Sequence, residues 1–165
     1  MLTKGFGGAD VGARGRVEAA LERLSFEDSK LGERRLDAAV AGAVVAREPW
    51  DPFLRAEAAE AWNSMKLVIA RHFASEEQII LPWVKLRDDF PADLIIRAHE
   101  QHLRLRHLAA TVDATSFITG TDEEVVKAGT ALTAFAVCLD GLIEGEEHDL
   151  FPMIDRVLRA EGGGV

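Results

Sequence analysis

Tyrosine is absent from the 165 residues, cysteine occurs once, at Cys138, and proline only five times. Without tyrosine there is no tyrosyl radical and no tyrosine-gated oxygen site. A single thiol rules out an intramolecular disulfide and a multi-cysteine zinc site, as expected of a chain kept in a reducing compartment, and the expected location is the cytoplasm. Basic residues are also scarce: 19 against 28 acidic ones, a net charge of −9. That balance disfavours nucleic acid and anionic membrane surfaces as partners and makes a cation the easier guest. No run of apolar residues approaches the eighteen or so that a membrane span needs, and the glycine-rich start lacks the apolar core of a signal peptide. Alternating strand patterns are missing throughout, so the chain reads as all-α.

What is present is a repeat. His72-Phe73-Ala74-Ser75-Glu76-Glu77-Gln78-Ile79-Ile80-Leu81-Pro82-Trp83 returns seventy positions later as Leu142-Ile143-Glu144-Gly145-Glu146-Glu147-His148-Asp149-Leu150-Phe151-Pro152-Met153. The copies share Glu76 with Glu146, Glu77 with Glu147, Ile80 with Leu150, Leu81 with Phe151 and Pro82 with Pro152. Residues i and i+4 of a helix stand one above the other, so His72 and Glu76 aim at one point, as two metal ligands on one helix would.

Helix signals divide the chain into an N-terminal arm over 1–15, one four-helix unit over 16–160 and a glycine tail over 161–165. A short amphipathic piece around Val17 to Leu24 is expected to lie across the bundle. The first long helix then starts at Ser25, spaced from Asp28 as in a capping box, and runs to about Arg47. The second opens on Asp51 with Pro52 at its first position and continues to about Leu86, with a kink at Pro82. The third follows the Asp88-Asp89-Phe90-Pro91 turn, and the fourth is capped by Thr121 with Glu124 and disturbed at Pro152. Four long helices with short loops predict an up-down-up-down four-helix bundle.

Each predicted core stripe is interrupted by polar residues. Helix two reads Trp62, Met65, Ile69, His72, Glu76, Ile80, Trp83, and helix four reads Leu132, Phe135, Leu139, Leu142, Glu146, Leu150, Met153. Helix three places His102 among Ile95, Ala98, Leu105, Ala109 and Val112, with His99 one turn earlier; helix one is read as Phe26, Lys30, Glu33, Leu36, Val40, Ala43. Three buried carboxylates, Glu33, Glu76 and Glu146, would each cost several kcal/mol without compensation, and about two divalent cations offset their roughly −3 charge. A salt network with both imidazoles protonated is the metal-free alternative. His107 lies about 140° around its helix from His102 and His148 about 200° from Glu146, so both are expected at the surface. Glu77 and Glu147 are read as solvated, and Cys138 as a packing residue.

The His-x-x-x-Glu-Glu with Ile-Leu-Pro, and its second copy ending Glu-Glu-x-x-Leu-Phe-Pro, resemble the hemerythrin-like, HHE cation-binding domains over about residues 25–157. The resemblance implies a four-helix bundle with a non-haem di-iron centre, His72 and Glu76 as the helix-two ligands, His102 as the helix-three histidine and Glu146 as a bridging carboxylate. Two positions depart from the pattern: Leu142 stands where a histidine opens the helix-four motif, and Glu33 where helix one would present one. The resulting donor set, His72, Glu76, His102, Glu146, Glu33 and His99, is rich in oxygen and suits iron, with manganese or zinc as other occupants. The function implied is binding or sensing of a small oxidant such as oxygen, nitric oxide or peroxide. Alternatives are a carboxylate-rich di-metal oxidase or peroxide-removing enzyme, and a metal-free bundle acting as an interaction module.

Overall fold

The computed structural model describes residues 9–162, and within them the chain is four helical runs without a strand. The first run is α1, Ala9–Arg47; the second comprises α2, Pro52–Ser75, a π turn at Glu76–Ile80, and α3, Leu81–Lys85. The third is α4, Ala92–Asp113; the fourth comprises α5, Asp122–Gly145, a second π turn at Glu146–Leu150, and α6, Phe151–Gly162. α1 packs between α2 and α5, α5 also packs on α4, and α3 touches α4, which closes the square of an antiparallel four-helix bundle.

Local chemistry starts two of the runs. The Asp51 carboxylate accepts from the amides of Phe53 at 2.8 Å and Leu54 at 3.2 Å ahead of α2, with Pro52 in the first turn. Thr121 and Glu124 form a reciprocal capping box ahead of α5. Arg55 then ties the ends together, donating to the Gly120 carbonyl at 2.7 Å and to Asp122 at 2.7 Å.

The two prolines do not simply kink their helices. A proline within a helix has no N–H and its ring clashes with the carbonyl four residues back. Here both runs widen by one π turn just before the proline, and the amide of Leu81 bonds the Glu76 carbonyl five residues back, as Phe151 does to Glu146. The repeat in the sequence is therefore a repeat in the backbone.

α1 departs most from expectation. Its described residues 9–15 are helical and its Val17–Leu24 segment is continuous with the rest, so there is no separate piece across the bundle and no helix start at Ser25; Met1–Gly8 and 163–165 lie outside the described residues. The buried stripe of α1 is Val17, Ala20, Leu24, Asp28, Leu31, Ala38 and Val45, while Phe26, Leu36 and Val40 are exposed. The expected stripes of the second and fourth runs are buried as read, except that Met153 is half-buried.

The core is two apolar clusters. One gathers Leu31, Trp62, Phe73, Leu105, Phe135 and Leu142 among others; the other gathers Leu24, Ile80, Trp83, Phe90, Leu150 and Phe151. Along each helix the boundary between them falls at a buried polar residue: Asp28, His72 and Glu76, His102, and Glu146. The stretch 122–161 is long and apolar enough by composition to cross a membrane, yet half of its most apolar window is buried in this core.

Where α1 crosses α5 the backbones touch. A Cβ on Gly42 would lie 2.6 Å from the Gly129 carbonyl oxygen, and one on Gly129 would lie 2.7 Å from that of Gly42. Gly42→Ala and Gly129→Ala are each expected to lose about 1–3 kcal/mol in urea unfolding through the forced separation of the helices. Gly32→Ala, with nothing within 4 Å of the new methyl, should gain about 0.5–1 kcal/mol from helix propensity.

Candidate metal centre

Five side chains converge between the apolar clusters. Asp28 comes from α1, His72 from α2, Glu76 and Glu146 from the two π turns and His102 from α4, and each is at most 2% exposed. His72 sits in the middle. Its Nδ1 faces Asp28 Oδ1 at 3.2 Å, and its Nε2 faces Glu76 Oε2 at 3.3 Å and Glu146 Oε2 at 3.2 Å. The Nε2 of His102 reaches Glu76 Oε2 at 2.8 Å.

These contacts are close but point off the hydrogen-bonding directions. Both nitrogens of His72, Nε2 of His102, both oxygens of Asp28 and of Glu146, and Oε2 of Glu76 are buried without a hydrogen-bond partner. Buried polar atoms are rarely left so, and these eight orphaned atoms identify the layer as built for something other than its own members. Two triads have donor atoms within 4.8 Å of one another: Asp28, His72 and Glu146, and Glu76, His102 and Glu146. Both can hold a metal ion, and Glu146 belongs to both.

Of the six ligands expected from sequence, His72, Glu76, His102 and Glu146 are brought together. Glu33 and His99 are not: both are exposed. Glu33 belongs to the solvent-facing stripe of α1 with Phe26, Leu36 and Val40, so a carboxylate there needs no compensation. Asp28 takes its place, five residues earlier and on the opposite register. The signal was in the sequence: Val17, Ala20, Leu24, Asp28, Leu31 recur at three and four residues, and Asp28 interrupts them as His72 and Glu76 interrupt their own stripe. His99 lines a surface depression beyond His102. His107 and His148 are exposed, and Cys138 is half-buried against the core, its thiol pKa pushed up by burial.

Glu77, expected to be a solvated residue, braces the site from outside. It faces Nδ1 of His102 at 3.2 Å and is held by the Arg106 guanidinium with both carboxylate oxygens at 2.6 Å. Phe73 stacks on the His102 ring with centroids 4.4 Å apart, and Arg106 lies 5.7 Å over Phe73. If Nδ1–H is donated to Glu77, Nε2 of His102 is the nitrogen left to ligate a cation held with Glu76 and Glu146, once it gives up any proton it shares with Glu76. Burial works against the Glu77 charge, but Arg106 and then His102 outweigh it and hold its pKa low.

The electrostatics of the layer are those of protons standing in for cations. Burial pushes Asp28 from 3.8 up to about 7 against the pull of His72, and the charges of Glu76 and Glu147 add to the rise. Burial also opposes the His72 imidazolium, yet Glu146 and Glu76 outweigh it and raise its pKa to about 11. Of the two glutamates, Glu76 overcomes its burial through His102 and His72 and stays ionised, whereas burial and the Glu76 charge raise Glu146. The layer thus carries its own protons at neutral pH.

Without a metal, folded Asp28 binds its proton up to about pH 7 and the unfolded residue only to about 4, so between these values the folded state holds more protons and its stability falls as pH rises. His72, raised in the folded state, continues the fall above its unfolded value of 6.5. Chelator-treated protein should therefore lose stability in urea titrations from pH 5 to pH 7, and Asp28→Asn should flatten that part of the profile. A wild-type profile that is flat or rising over this range would contradict the assignment.

The donor types fit one chemistry. Imidazole and carboxylate together suit first-row divalent metals, and helix bundles commonly hold them with donors projecting inward from facing helices. No curated protein and no solved structure is similar enough to the chain to match it. Residues 18–154, which contain all five converging side chains and both π turns, match the Hemerythrin HHE cation binding domain. The chain is thus a member of the hemerythrin HHE cation-binding domain family.

Proposed function

We propose that this protein holds two divalent metal ions, iron in the cell, and that the centre binds or senses a small oxidant such as oxygen, nitric oxide or peroxide. The observation that carries the reading is the place of Glu146 in two separate triads, which is the position of a bridging carboxylate. Asp28 and His72 would complete one ion's protein donors, and Glu76 and His102 the other's. Iron, when bound, supplies the change of oxidation state and the affinity for oxidants.

The chain's own residues set the terms. Ligation requires His72 to give up the proton that the glutamates hold on it, so metal and protons compete for the layer. The Glu77 contact keeps the His102 ring in the tautomer that can ligate, and the two apolar clusters keep bulk water from the carboxylates above and below. Three carboxylates and two imidazoles make an oxygen-rich set, which supports a second reading: a di-metal oxidase or peroxide-removing enzyme on the same centre.

Metal analysis of purified variants tests the assignment. Asp28→Ala and Glu146→Ala should each lose tightly bound metal, while Glu33→Ala and His148→Ala retain the wild-type content. Equal content in all four would sink the proposal. Glu77→Ala should weaken metal affinity about 10–100-fold in chelator competition, as loss of a ligand-orienting partner does. The counterpart Glu147→Ala should leave the His102 side intact, seen in the imidazole ring-nitrogen resonances of the zinc-loaded protein.

A further inference from the structure

At the end of the bundle where α1 gives way to α2 and α4 to α5, two short turns lie side by side. Arg55 joins them: its side chain, 12% exposed, donates to the carbonyls of Pro49 and Gly120 and to Asp122. Each turn sends one residue inward and the next outward. Pro49 and Phe117 are buried, whereas Trp50 and Ile118 are 66% and 58% exposed, and Phe53, on the first turn of α2, is 67% exposed. The other two tryptophans, Trp62 and Trp83, are buried in the core. Single apolar residues at a surface are ordinary, but here two aromatic rings and a branched alkyl group share one end, on turns that do not use them for packing.

We propose that this end of the bundle docks a basic, amphipathic segment of a partner protein. Charge selects the sign of the occupant. Residues 47–55 and 117–124 carry Glu48, Asp51, Asp122, Glu123 and Glu124 against Arg47 and Arg55, and Arg55 is committed to the turns themselves. The aromatic rings favour the same sign, because a lysine or arginine head over the face of tryptophan or phenylalanine is attracted by the ring. Apolar residues of the same segment would cover Trp50, Phe53 and Ile118. A second copy presenting this end would set like charges against each other, and so would an anionic membrane. The patch is also separate from the metal layer. Asp28 and Arg47 are nineteen residues apart on α1, about 28 Å, and the cluster of Trp62 and Phe135 lies between. Docking there needs no metal.

Trp50 reports on the site, since Trp62 and Trp83 are shielded. The probe is a synthetic amphipathic peptide of leucine and lysine added to the full chain, with two control peptides in which glutamate replaces lysine or serine replaces leucine. The leucine–lysine peptide should move Trp50 emission to the blue and protect it from acrylamide, and neither control should. Trp50→Ser with Phe53→Ser should weaken binding of the labelled peptide about tenfold or more. Glu48→Gln with Glu123→Gln should weaken it about threefold or more at low salt. Leu86→Ser, at a residue 88% exposed at the opposite end of the bundle, should leave it within about twofold of wild type. The glutamine pair keeps all three apolar residues and carries the test if the aromatic variant does not fold. Docking is overturned if the leucine–lysine peptide leaves Trp50 unmoved, if either control peptide binds equally, or if either pair of substitutions leaves binding unchanged. It is also overturned if phosphatidylcholine vesicles shift Trp50, or if the chain alone forms a dimer that Trp50→Ser dissolves, because the patch would then belong to a membrane or to a second copy.

Discussion

The cost of holding three carboxylates out of water governs this bundle. Asp28, Glu76 and Glu146 lie at most 2% exposed in one layer with two imidazoles, and the apolar core is divided into two clusters by them. An uncompensated charge in such a place costs far more than a helix contact returns, so the layer must be neutralised by protons or by cations. Without metal, the protons sit on Asp28, on His72 and on the glutamate pair, and each pKa is displaced accordingly. The apolar clusters on either side supply the stability that this arrangement spends: Phe135, Leu132 and Met65 on one side, Ile80, Leu24 and Ile154 on the other, are all fully buried.

The π turns belong to the same account. Pro82 and Pro152 force the backbone to give up an ordinary helical bond, and the chain answers with a widened turn that begins on the glutamate of the layer in both halves. One local sequence thereby fixes both a backbone irregularity and the residue presented at it. Glu76 and Glu146 come from equivalent places on the second and fourth runs, which point the same way along the bundle, and that is how two copies of one motif converge on a single centre.

Most of this could be read in the amino acids, and the exceptions have physical causes. The stripes of the second and fourth runs contain Trp62, Met65, Phe135 and Leu139, large residues whose periodicity admits one register, and His72, Glu76 and Glu146 stand out within them. α1 is rich in alanine, valine and glycine, with apolar residues on both faces. There the exposed Phe26, Leu36 and Val40 compete with the buried Val17, Leu24 and Leu31, and the wrong stripe delivered Glu33 in place of Asp28. Reading Ser25 and Asp28 as a capping box started the helix too late to see the longer pattern. The π turns were hidden because spacing alone gives their residues the same inward face as an α-helix with a kink. Glu77 was missed for a different reason: it is largely outside the core, and its role depends on His102 and Arg106 from another helix, which no local pattern connects to it.

The two halves match in backbone and differ in what they place beside their glutamates. In the first, His72 fills the space four residues before Glu76 and contacts three carboxylates; in the second, Leu142 contributes only packing and Gly145 contributes nothing but room. A duplicated site with identical halves would be closed on both sides by imidazole. Here donor groups gather on the α2 side, and the α5 side retains the shared Glu146 with a cavity against it. The divergence of His72 and Leu142 from a common pattern leaves one half supplying an imidazole and the other only packing, beside the same pair of glutamates.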